Sequence, residues 1–509
     1  MSSLGHQLAT SVLVIGAGEE GLRAAIEVAE ARVAVMVVAR CPGESRQTGC
    51  HGNRPEQRGH DGPTPRRFAH HEYGGSAILG EDTGTAVRRA LRERAKRLGV
   101  PVLSGVHVTR LLVDHGTVFG AYGFDLVDGV RYLVHADSVI LANGGHTRIW
   151  RRTSARRHEN TGDAFRLAVE AGARLRSPEL VRFHPFGLIG PENAAGVLLS
   201  DAARGEGGIL LNNLGERFMT RYDAERLELV GRDRVALASH TEIREGRGTR
   251  GGGVWLDLSH LPRETVLTRL PQLHQSLLRL QMLDITHDPV EVAPTAQSSL
   301  GGVWVRPEDH GTDVNGLYAV GEAADGLHGG DRSAELSPVE PLLRSRIAGR
   351  AAAEYSAELV AQHRSPAAVR AAETDVDRLL AADGHQDVRA LLRTVRHLMT
   401  ECAGVVRDES GLAAGLAGLD EIEELMRDIA VHIDIGGFQD LVHAYDLRSA
   451  VLAARATLEC ARERRETRGC HNRSDYPDVD PVLSVDLVWS PTTGVRHEPV
   501  PSGPGRQVR

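Results

Sequence analysis

The apolar positions near the N-terminus form two short runs separated by an amphipathic stretch. The runs span residues 12–15 and 33–38, and residues 22–29 place apolar side chains at helical spacing. Short continuous apolar runs bounded by turn residues are typical of buried parallel strands. The pattern therefore predicts a strand, a helix and a second strand, which together make a βαβ unit.

Three glycines separate the first strand from the helix: Gly16, Gly18 and Gly21. This spacing is typical of a dinucleotide-binding turn, because the first glycine allows a sharp bend and the second allows the backbone to approach a pyrophosphate. The third lets helix and strand pack closely. We expect a dinucleotide here; the alternative is a glycine-turned βαβ unit without a ligand. Glu19 and Glu20 would disfavour a pyrophosphate unless they point outward.

The same patterns predict the remaining elements. Residues 41–71 lack periodicity and predict a loop. Helical spacing returns at 84–98, at 164–173 and throughout 369–465, while residues 151–307 mix short helices with glycine-rich turns. Strands are predicted at 102–113, 118–124, 132–134 and 138–142.

Composition narrows the class of protein. The chain has 509 residues, 41% of them hydrophobic, and a net charge of −8 with dispersed basic residues, which argues against nucleic acid as a partner. No apolar run reaches the roughly 20 residues of a membrane span. We expect a cytoplasmic protein of two or three domains. Its five cysteines lack zinc or cluster spacing, so an iron–sulfur centre would belong to another subunit.

Eleven segments occur in the order found in one family. They span residues 16–22, 139–145, 160–163, 183–185, 204–208, 215–219, 231–233, 294–296, 300–303, 316–322 and 468–477. In these segments the chain resembles the succinate dehydrogenase/fumarate reductase flavoprotein subunits and the L-aspartate oxidases. The resemblance covers nearly the whole chain.

The resemblance implies an α/β fold, with a Rossmann-like FAD-binding domain, an inserted α+β capping domain and a helical C-terminal domain. The implied boundaries are 1–150 and 309–355 for the FAD-binding domain, 151–308 for the capping domain and 356–478 for the helical domain. Residues 479–509 are rich in Pro and Val and predict an extended surface tail.

Oxidising a saturated dicarboxylate to its alkene needs a hydride acceptor, a proton acceptor and donors for two carboxylates. The resemblance assigns the hydride to FAD and the proton to Arg232. Because a guanidinium is ordinarily always protonated, this role needs a neighbouring cation and a relay that make proton loss tolerable, and Asp233 and Glu206 are candidates for the relay. The alternative for Arg232 is a surface ion pair.

The substrate carboxylates are expected to contact His184, Ser200, Gln297 and Arg332. Gln297 stands where the family has a second histidine, and it donates a hydrogen bond without carrying charge. Glutamine in place of histidine at position 297 would weaken substrate binding or change the preferred substrate. The alternatives are a core role for His184 and a flavin-edge or interface ion pair for Arg332.

The resemblance also names the FAD contacts. These are Gly16, Gly18 and Gly21 at the pyrophosphate, the Val108 backbone near the adenine, Asp163 on the cofactor side of the capping-domain hinge, Glu322 at the ribitol or ribose, and Ser337 at the ring. Asp163 could also cap the following helix. No metal site is expected.

Two further departures concern the flavin. Arg46 stands where respiratory members attach FAD through a histidine, so we expect non-covalent FAD. Residues 41–81 are shorter than the matching family segment, which covers the flavin, and residues 332–338 lack the usual glycine pair and asparagine. Both changes predict a less enclosed flavin ring.

The leading hypothesis is an FAD-dependent oxidoreductase that interconverts succinate and fumarate as the flavoprotein subunit of a complex. An iron–sulfur partner would carry the electrons onward, and membrane contact would come only through partner subunits at the inner face of the membrane. The alternatives are an L-aspartate oxidase and a divergent, non-catalytic flavoprotein-like subunit.

Overall fold

The computed structural model describes residues 5–40, 83–324, 340–433 and 436–499. The strands are β1 (His6–Ile15), β2 (Val35–Ala39), β3 (Val102–Ser104), β4 (Val106–Asp114), β5 (Thr117–Asp125), β6 (Arg131–Leu141), β7 (Leu175–Arg176), β8 (Val181–Leu188), β9 (Ile209–Leu211), β10 (Val254–Asp257), β11 (Val290–Ser299), β12 (Gly302–Val303), β13 (Leu317–Ala319), β14 (Gln386–Asp387), β15 (Val406–Arg407), β16 (Ile429–Ala430), β17 (Asn472–Arg473), β18 (Val485–Ser490) and β19 (Gly494–Pro499). The helices are α1 (Glu19–Glu30), α2 (Thr83–Arg97), α3 (Asp163–Glu170), α4 (Ala202–Gly205), α5 (Met219–Tyr222), α6 (Arg232–Arg244), α7 (Arg263–Arg269), α8 (Pro271–Gln281), α9 (Glu340–Glu358), α10 (Pro366–Leu380), α11 (Val388–Cys402), α12 (Glu409–Leu425) and α13 (Gln439–Glu463).

A seven-stranded sheet carries the predicted nucleotide-binding turn. Its strand order is β3-β2-β1-β6-β5-β4, and β13 pairs with the C-terminal half of β6. Strands β1, β2, β3, β6 and β13 are parallel, whereas β4 and β5 form an antiparallel hairpin beside β6. The apolar runs of β1 and β2 are buried, as strands covered by helices require. This arrangement confirms the predicted Rossmann-like α/β fold.

Helix α9 returns to the same sheet and packs against α1. A Cβ atom at Gly349 of α9 would lie 2.6 Å from the carbonyl oxygen of Ala24, so only glycine permits this approach. The contact joins a late segment of the chain to the first βαβ unit.

A second sheet, with the order β8-β11-β10-β9, is antiparallel and lies within the inserted region. Helix α6 packs against β8 and β11. Apolar side chains including Phe186, Leu256 and Val292 form a separate core between this sheet and its helices. The inserted region therefore folds around its own core and presents β8, β11 and α6 to the candidate site.

The C-terminal region contains helices α10–α13, with α13 packed against α11 and α12. Strands β18 and β19 then form a hairpin that pairs with β7. Leu487 and Trp489 are buried, and the indole of Trp489 donates a hydrogen bond of 2.6 Å to Glu459. This corrects the predicted surface tail, because pairing with β7 and packing on α13 bury its first strand.

The sequence-based elements agree closely with the observed ones. The helices predicted at 84–98 and 164–173 are observed as α2 and α3, and the strand predicted at 138–142 is the C-terminal part of β6. The single strand predicted at 102–113 is divided, because Gly105 has a φ of 82° between β3 and β4. The predicted loop at 41–71 lies outside the described residues, and the domain boundaries stay predictions.

Candidate functional site

The three glycines of the turn between β1 and α1 have different surroundings. Gly16 has a φ of 116°, and a Cβ atom there would lie 2.2 Å from the carbonyl oxygen of Ala142. A Cβ atom at Gly21 would lie 2.0 Å from the Gly16 oxygen. Among the described residues, only the Glu20 carboxylate comes within 4 Å of a Cβ atom placed at Gly18. Gly16 and Gly21 therefore serve close packing, while Gly18 faces the side on which a ligand would approach.

The two acidic residues of this turn take different directions. Glu19 forms a 3.0 Å ion pair with Arg88 of α2. The side chain of Glu20 lies beside Gly321 and brings its carboxylate over Gly18. Only Glu19 therefore meets the condition that the carboxylates point away from a pyrophosphate.

The carboxyl end of β6 adds a polar group beside this turn. Asn143 follows β6, and both polar atoms of its carboxamide are buried without a hydrogen-bond partner among the residues that the structure describes. Nearby, the Asn160 amide donates a 2.7 Å hydrogen bond to Glu322, and its oxygen accepts one from the Gly145 N–H. This hydrogen bond holds Glu322 close to the end of β13. The family resemblance predicts that Glu322 contacts the ribitol or ribose of FAD.

The other predicted cofactor contacts lie in different surroundings. Val108 is buried in β4. Asp163 begins α3, and its Oδ1 accepts hydrogen bonds from Arg166 at 2.8 Å and from Ser449 at 3.3 Å. Gly162 is the N-cap residue and α3 has no side-chain cap, so the helix-cap alternative for Asp163 is wrong. Its carboxylate instead forms a buried ion pair.

The predicted proton shuttle lies at the start of α6 and contacts a carboxylate that the sequence analysis overlooked. The Nε atom of Arg232 contacts Oδ2 of Asp201, the residue immediately before α4. Arg204 donates a 3.1 Å hydrogen bond to Oδ1 of the same carboxylate, and Nε2 of His184 lies 3.8 Å from it. Asp201 is therefore the centre of a cluster of three nitrogen-bearing side chains.

This finding corrects the predicted relay. Asp233 accepts a 3.2 Å hydrogen bond from Arg182, and Glu206 pairs with Arg269 at 3.1 Å. The carboxylate in contact with Arg232 is that of Asp201. The available sequence signal was the acidic residue directly after Ser200, but only tertiary contacts bring it to α6.

Burial and neighbouring charges set the protonation of this cluster. Burial raises the pKa of the Asp201 carboxyl, but His184 when it is protonated, together with the charged Arg204 and Arg232, outweighs this effect, so the net pKa lies below the usual range. Burial lowers the pKa of His184 to about 4. Nδ1 of His184 accepts the Phe186 N–H at 3.1 Å, so the neutral ring carries its proton on Nε2. The cluster thus combines an ionised carboxylate with a neutral imidazole donor.

Three predicted substrate contacts lie on adjoining segments. His184 is on β8, where it pairs in register with Thr295 of β11, and Gln297 lies at an irregularity of β11 two residues later. Within the described ranges, the Gln297 amide oxygen is buried without a hydrogen-bond partner. The Ser200 hydroxyl accepts the Ala202 N–H at 3.2 Å, which leaves its hydrogen to donate. Arg332, Ser337 and Arg46 lie outside the described residues.

Comparison with known proteins identifies the family. The profile of the FAD binding domain matches residues 54–335, and that of the fumarate reductase flavoprotein C-terminal domain matches residues 392–501. The chain belongs to the succinate dehydrogenase/fumarate reductase flavoprotein family. FAD is accordingly its cofactor, and the chain is an FAD-dependent oxidoreductase.

Two archaeal relatives of this flavoprotein are similar over most of the chain. A fumarate reductase (CoM/CoB) subunit of Methanothermobacter marburgensis is 36% identical, with 84% of this chain and 75% of that protein covered. An uncharacterized FAD-dependent oxidoreductase of Methanocaldococcus jannaschii is 35% identical, with 81% and 74% covered.

Solved structures of the family share the fold. The E. coli quinol fumarate reductase FrdA superposes with a TM-score of 0.86 at 25% identity, covering 97% of this chain and 96% of that chain. Mycobacterium smegmatis Sdh1 in complex with UQ1 gives a TM-score of 0.82 at 28% identity, covering 98% and 96%. In the described part of this flavoprotein, no helix combines the length and apolar character that a membrane span needs.

The described residues fit FAD with one adverse group. The glycine turn offers a close backbone approach, Glu322 is held at a strand end, and the Asn143 carboxamide is buried with unused donors and acceptors. A polar residue at the carboxyl end of a parallel strand marks a ligand site, so sequence position alone could have identified Asn143. The Glu20 carboxylate opposes this fit, because it adds negative charge where the pyrophosphate would lie.

Proposed function

We propose that this flavoprotein interconverts succinate and fumarate, as part of a succinate dehydrogenase/fumarate reductase-type complex. The observation that carries the proposal is the contact of Arg232 with the buried carboxylate of Asp201, which Arg204 and His184 also face. An arginine can exchange a proton only when a nearby group stabilises the change, and this cluster supplies one. FAD, when bound, supplies the hydride acceptor.

The surrounding side chains would hold the two substrate carboxylates. His184 Nε2–H and the Ser200 hydroxyl are hydrogen-bond donors, and the Gln297 carboxamide has an unused buried oxygen and an N–H₂ donor. The planar guanidinium of Arg332 suits bidentate binding of a second carboxylate. Arg232 would then exchange the proton with a substrate carbon, and the Asp201 carboxylate, in contact with its Nε, would fix the direction of the guanidinium and pass that proton to or from it.

The electrons would leave through a partner. The relatives of known activity include proteins named as flavoprotein subunits of succinate dehydrogenase and of 8-methylmenaquinol:fumarate reductase. The cysteines of this chain lack the spacing of an iron–sulfur site, so a separate iron–sulfur subunit is the expected acceptor. Attachment to the inner face of a membrane would come through further subunits.

The test is the visible spectrum of the purified holoprotein under anaerobic conditions, before and after addition of succinate and then of aspartate. Bleaching by succinate, together with fumarate reduction by chemically reduced protein, supports the proposal. Bleaching by aspartate alone, with peroxide released in air, would instead indicate an L-aspartate oxidase. Stoichiometric flavin that neither compound reduces, and that fumarate does not reoxidise, would indicate a non-catalytic subunit.

A further inference from the structure

Two histidines and an aspartate meet where the β4–β5 hairpin approaches the segment that joins α9 to α10. Asp114 and His115 belong to the hairpin, and His363 belongs to the joining segment. One nitrogen or carboxylate oxygen from each residue lies within 4.8 Å of the other two. In the four described ranges, no other group of His, Cys, Asp and Glu side chains meets this criterion.

The aspartate stands between the two imidazole rings. Nδ1 of His363 contacts one carboxylate oxygen of Asp114, and Nε2 of His115 lies 3.8 Å from the other. The centres of the two rings are 5.8 Å apart. The three donor atoms are thus close enough together to be drawn onto one ion, and both histidines are largely exposed, so water can complete the coordination.

The backbone directs the hairpin ligands toward this point. His115 and Gly116 have φ angles of 46° and 72°, which are the two left-handed residues of a type I′ turn, and Asp114 pairs with Thr117 across it. The second position of such a turn is most often glycine, and the first is most often asparagine, aspartate or glycine. A histidine there is a less common choice that places an imidazole at the tip.

The joining segment is also held in place. The Gln362 amide donates hydrogen bonds of 2.7 Å to the Val118 carbonyl and 3.2 Å to the Asp137 carbonyl. Arg364 lies 3.5 Å from the Asp137 carboxylate, which offsets the positive charge of this guanidinium. His363 therefore lies between two residues that are both tied to the central sheet.

We propose that Asp114, His115 and His363 bind a Zn²⁺ ion. Two imidazoles and one carboxylate, with water in the fourth position, form a donor set that Zn²⁺ takes in tetrahedral geometry. Imidazole nitrogens favour zinc and its neighbouring transition metals, whereas Mg²⁺ and Ca²⁺ prefer oxygen ligands. The ion would fasten the segment leading into α10 to the hairpin of the nucleotide-binding sheet, and so stabilise the junction between these parts of the chain.

The experiment uses tag-free, FAD-loaded protein that has been dialysed against a chelator and then against metal-free buffer. Equilibrium dialysis with Zn²⁺, read by elemental analysis, and isothermal titration give stoichiometry and Kd. The test variants are His115→Asn and His363→Gln. Asparagine suits the left-handed turn, so His115→Asn removes the ligand and keeps the hairpin. The matched control is His385→Gln, which removes an exposed histidine that pairs with Asp428 at 3.1 Å.

We expect one Zn²⁺ per chain in the wild type and in His385→Gln, and a Kd raised at least about tenfold in each test variant. Zinc at about one hundred times the wild-type Kd should raise the Tm of the wild type and the control by about 2 °C, and should raise that of each variant by at most about half as much. The absence of stoichiometric Zn²⁺ in the wild type would overturn the proposal. Unchanged affinity in both variants would also overturn it, because the metal would then bind elsewhere.

Discussion

The carboxylate of Asp201 contacts the guanidinium of Arg232 across a sequence separation of 31 residues. Its second oxygen is held by Arg204, which is buried and also donates to the carbonyls of Glu228 and Val230. The contact therefore fixes both the direction of Arg232 and the charge that it faces. This geometry leads to the first two predictions.

Replacing Asp201 by Asn should lower kcat by about 10²–10⁴-fold, because the amide cannot stabilise proton exchange at Arg232 as the carboxylate does. FAD content should stay at the wild-type level. Steady-state succinate oxidation and fumarate reduction measure the effect. Glu206→Gln is the matched control, since Glu206 pairs with Arg269, and it should retain activity. Equal losses in both variants would show that Asp201 has no special role.

Arg232→Lys should abolish turnover while leaving FAD content unchanged. Lysine keeps the positive charge but loses the planar group that contacts Asp201. Activity and flavin absorbance are measured on the same preparation. The control is Arg234→Lys on the exposed side of α6, where the guanidinium donates a hydrogen bond to the Tyr222 carbonyl. If Arg232→Lys kept most of the activity, another residue would move the proton.

Glu20→Ala should tighten FAD binding. Removing a carboxylate beside Gly18 removes its repulsion of an approaching pyrophosphate, on the order of 1 kcal/mol, which corresponds to a Kd about fivefold lower. Titration of apoprotein with FAD, followed by flavin fluorescence, gives the Kd. Glu19→Ala is the control, because the Glu19 carboxylate pairs with Arg88 of α2. A larger gain from Glu19→Ala than from Glu20→Ala would contradict the geometry.

His107→Phe should reduce the pH dependence of stability between about pH 6.5 and pH 4. His107 is fully buried and packs against Phe124 and Tyr445, and in the described part of the chain neither ring nitrogen has a hydrogen-bond partner. Burial, with a smaller contribution from the charges of Arg40 and Arg166, lowers its pKa to about 4, against the opposing effect of Asp163 and Asp446. In this pH range the unfolded chain binds the proton and the folded chain does not, so the free energy of unfolding falls as the pH falls.

Denaturant unfolding at a series of pH values measures this slope. Loss of one such histidine should reduce the slope by up to about 1.4 kcal/mol per pH unit. The control, Phe124→Leu, removes a neighbouring ring without removing a titratable group. It should lower the free energy of unfolding by a similar amount at each pH. An unchanged slope in His107→Phe would mean that His107 titrates alike in both states.

Local sequence patterns predicted much of this protein. The apolar runs and glycine spacing were sufficient for β1, the turn and α1, because burial and backbone conformation at this site depend on neighbouring residues. The ordered motifs likewise predicted the α/β fold and the use of FAD, and His184 and Arg232 fall on segments that the structure brings to one carboxylate. Their catalytic roles stay predictions.

Tertiary structure decided which polar groups meet. Asp201, not Asp233 or Glu206, faces Arg232, because the turn before α4 lies against the start of α6. The periodicity of the sequence gives no indication of this contact. Glu19 and Glu20 are adjacent in sequence, yet Glu19 forms an ion pair with Arg88 of α2, whereas Glu20 lies beside Gly321. Backbone preferences act between neighbours and can be inferred from sequence, whereas the partners of a charged side chain depend on which distant segments pack together.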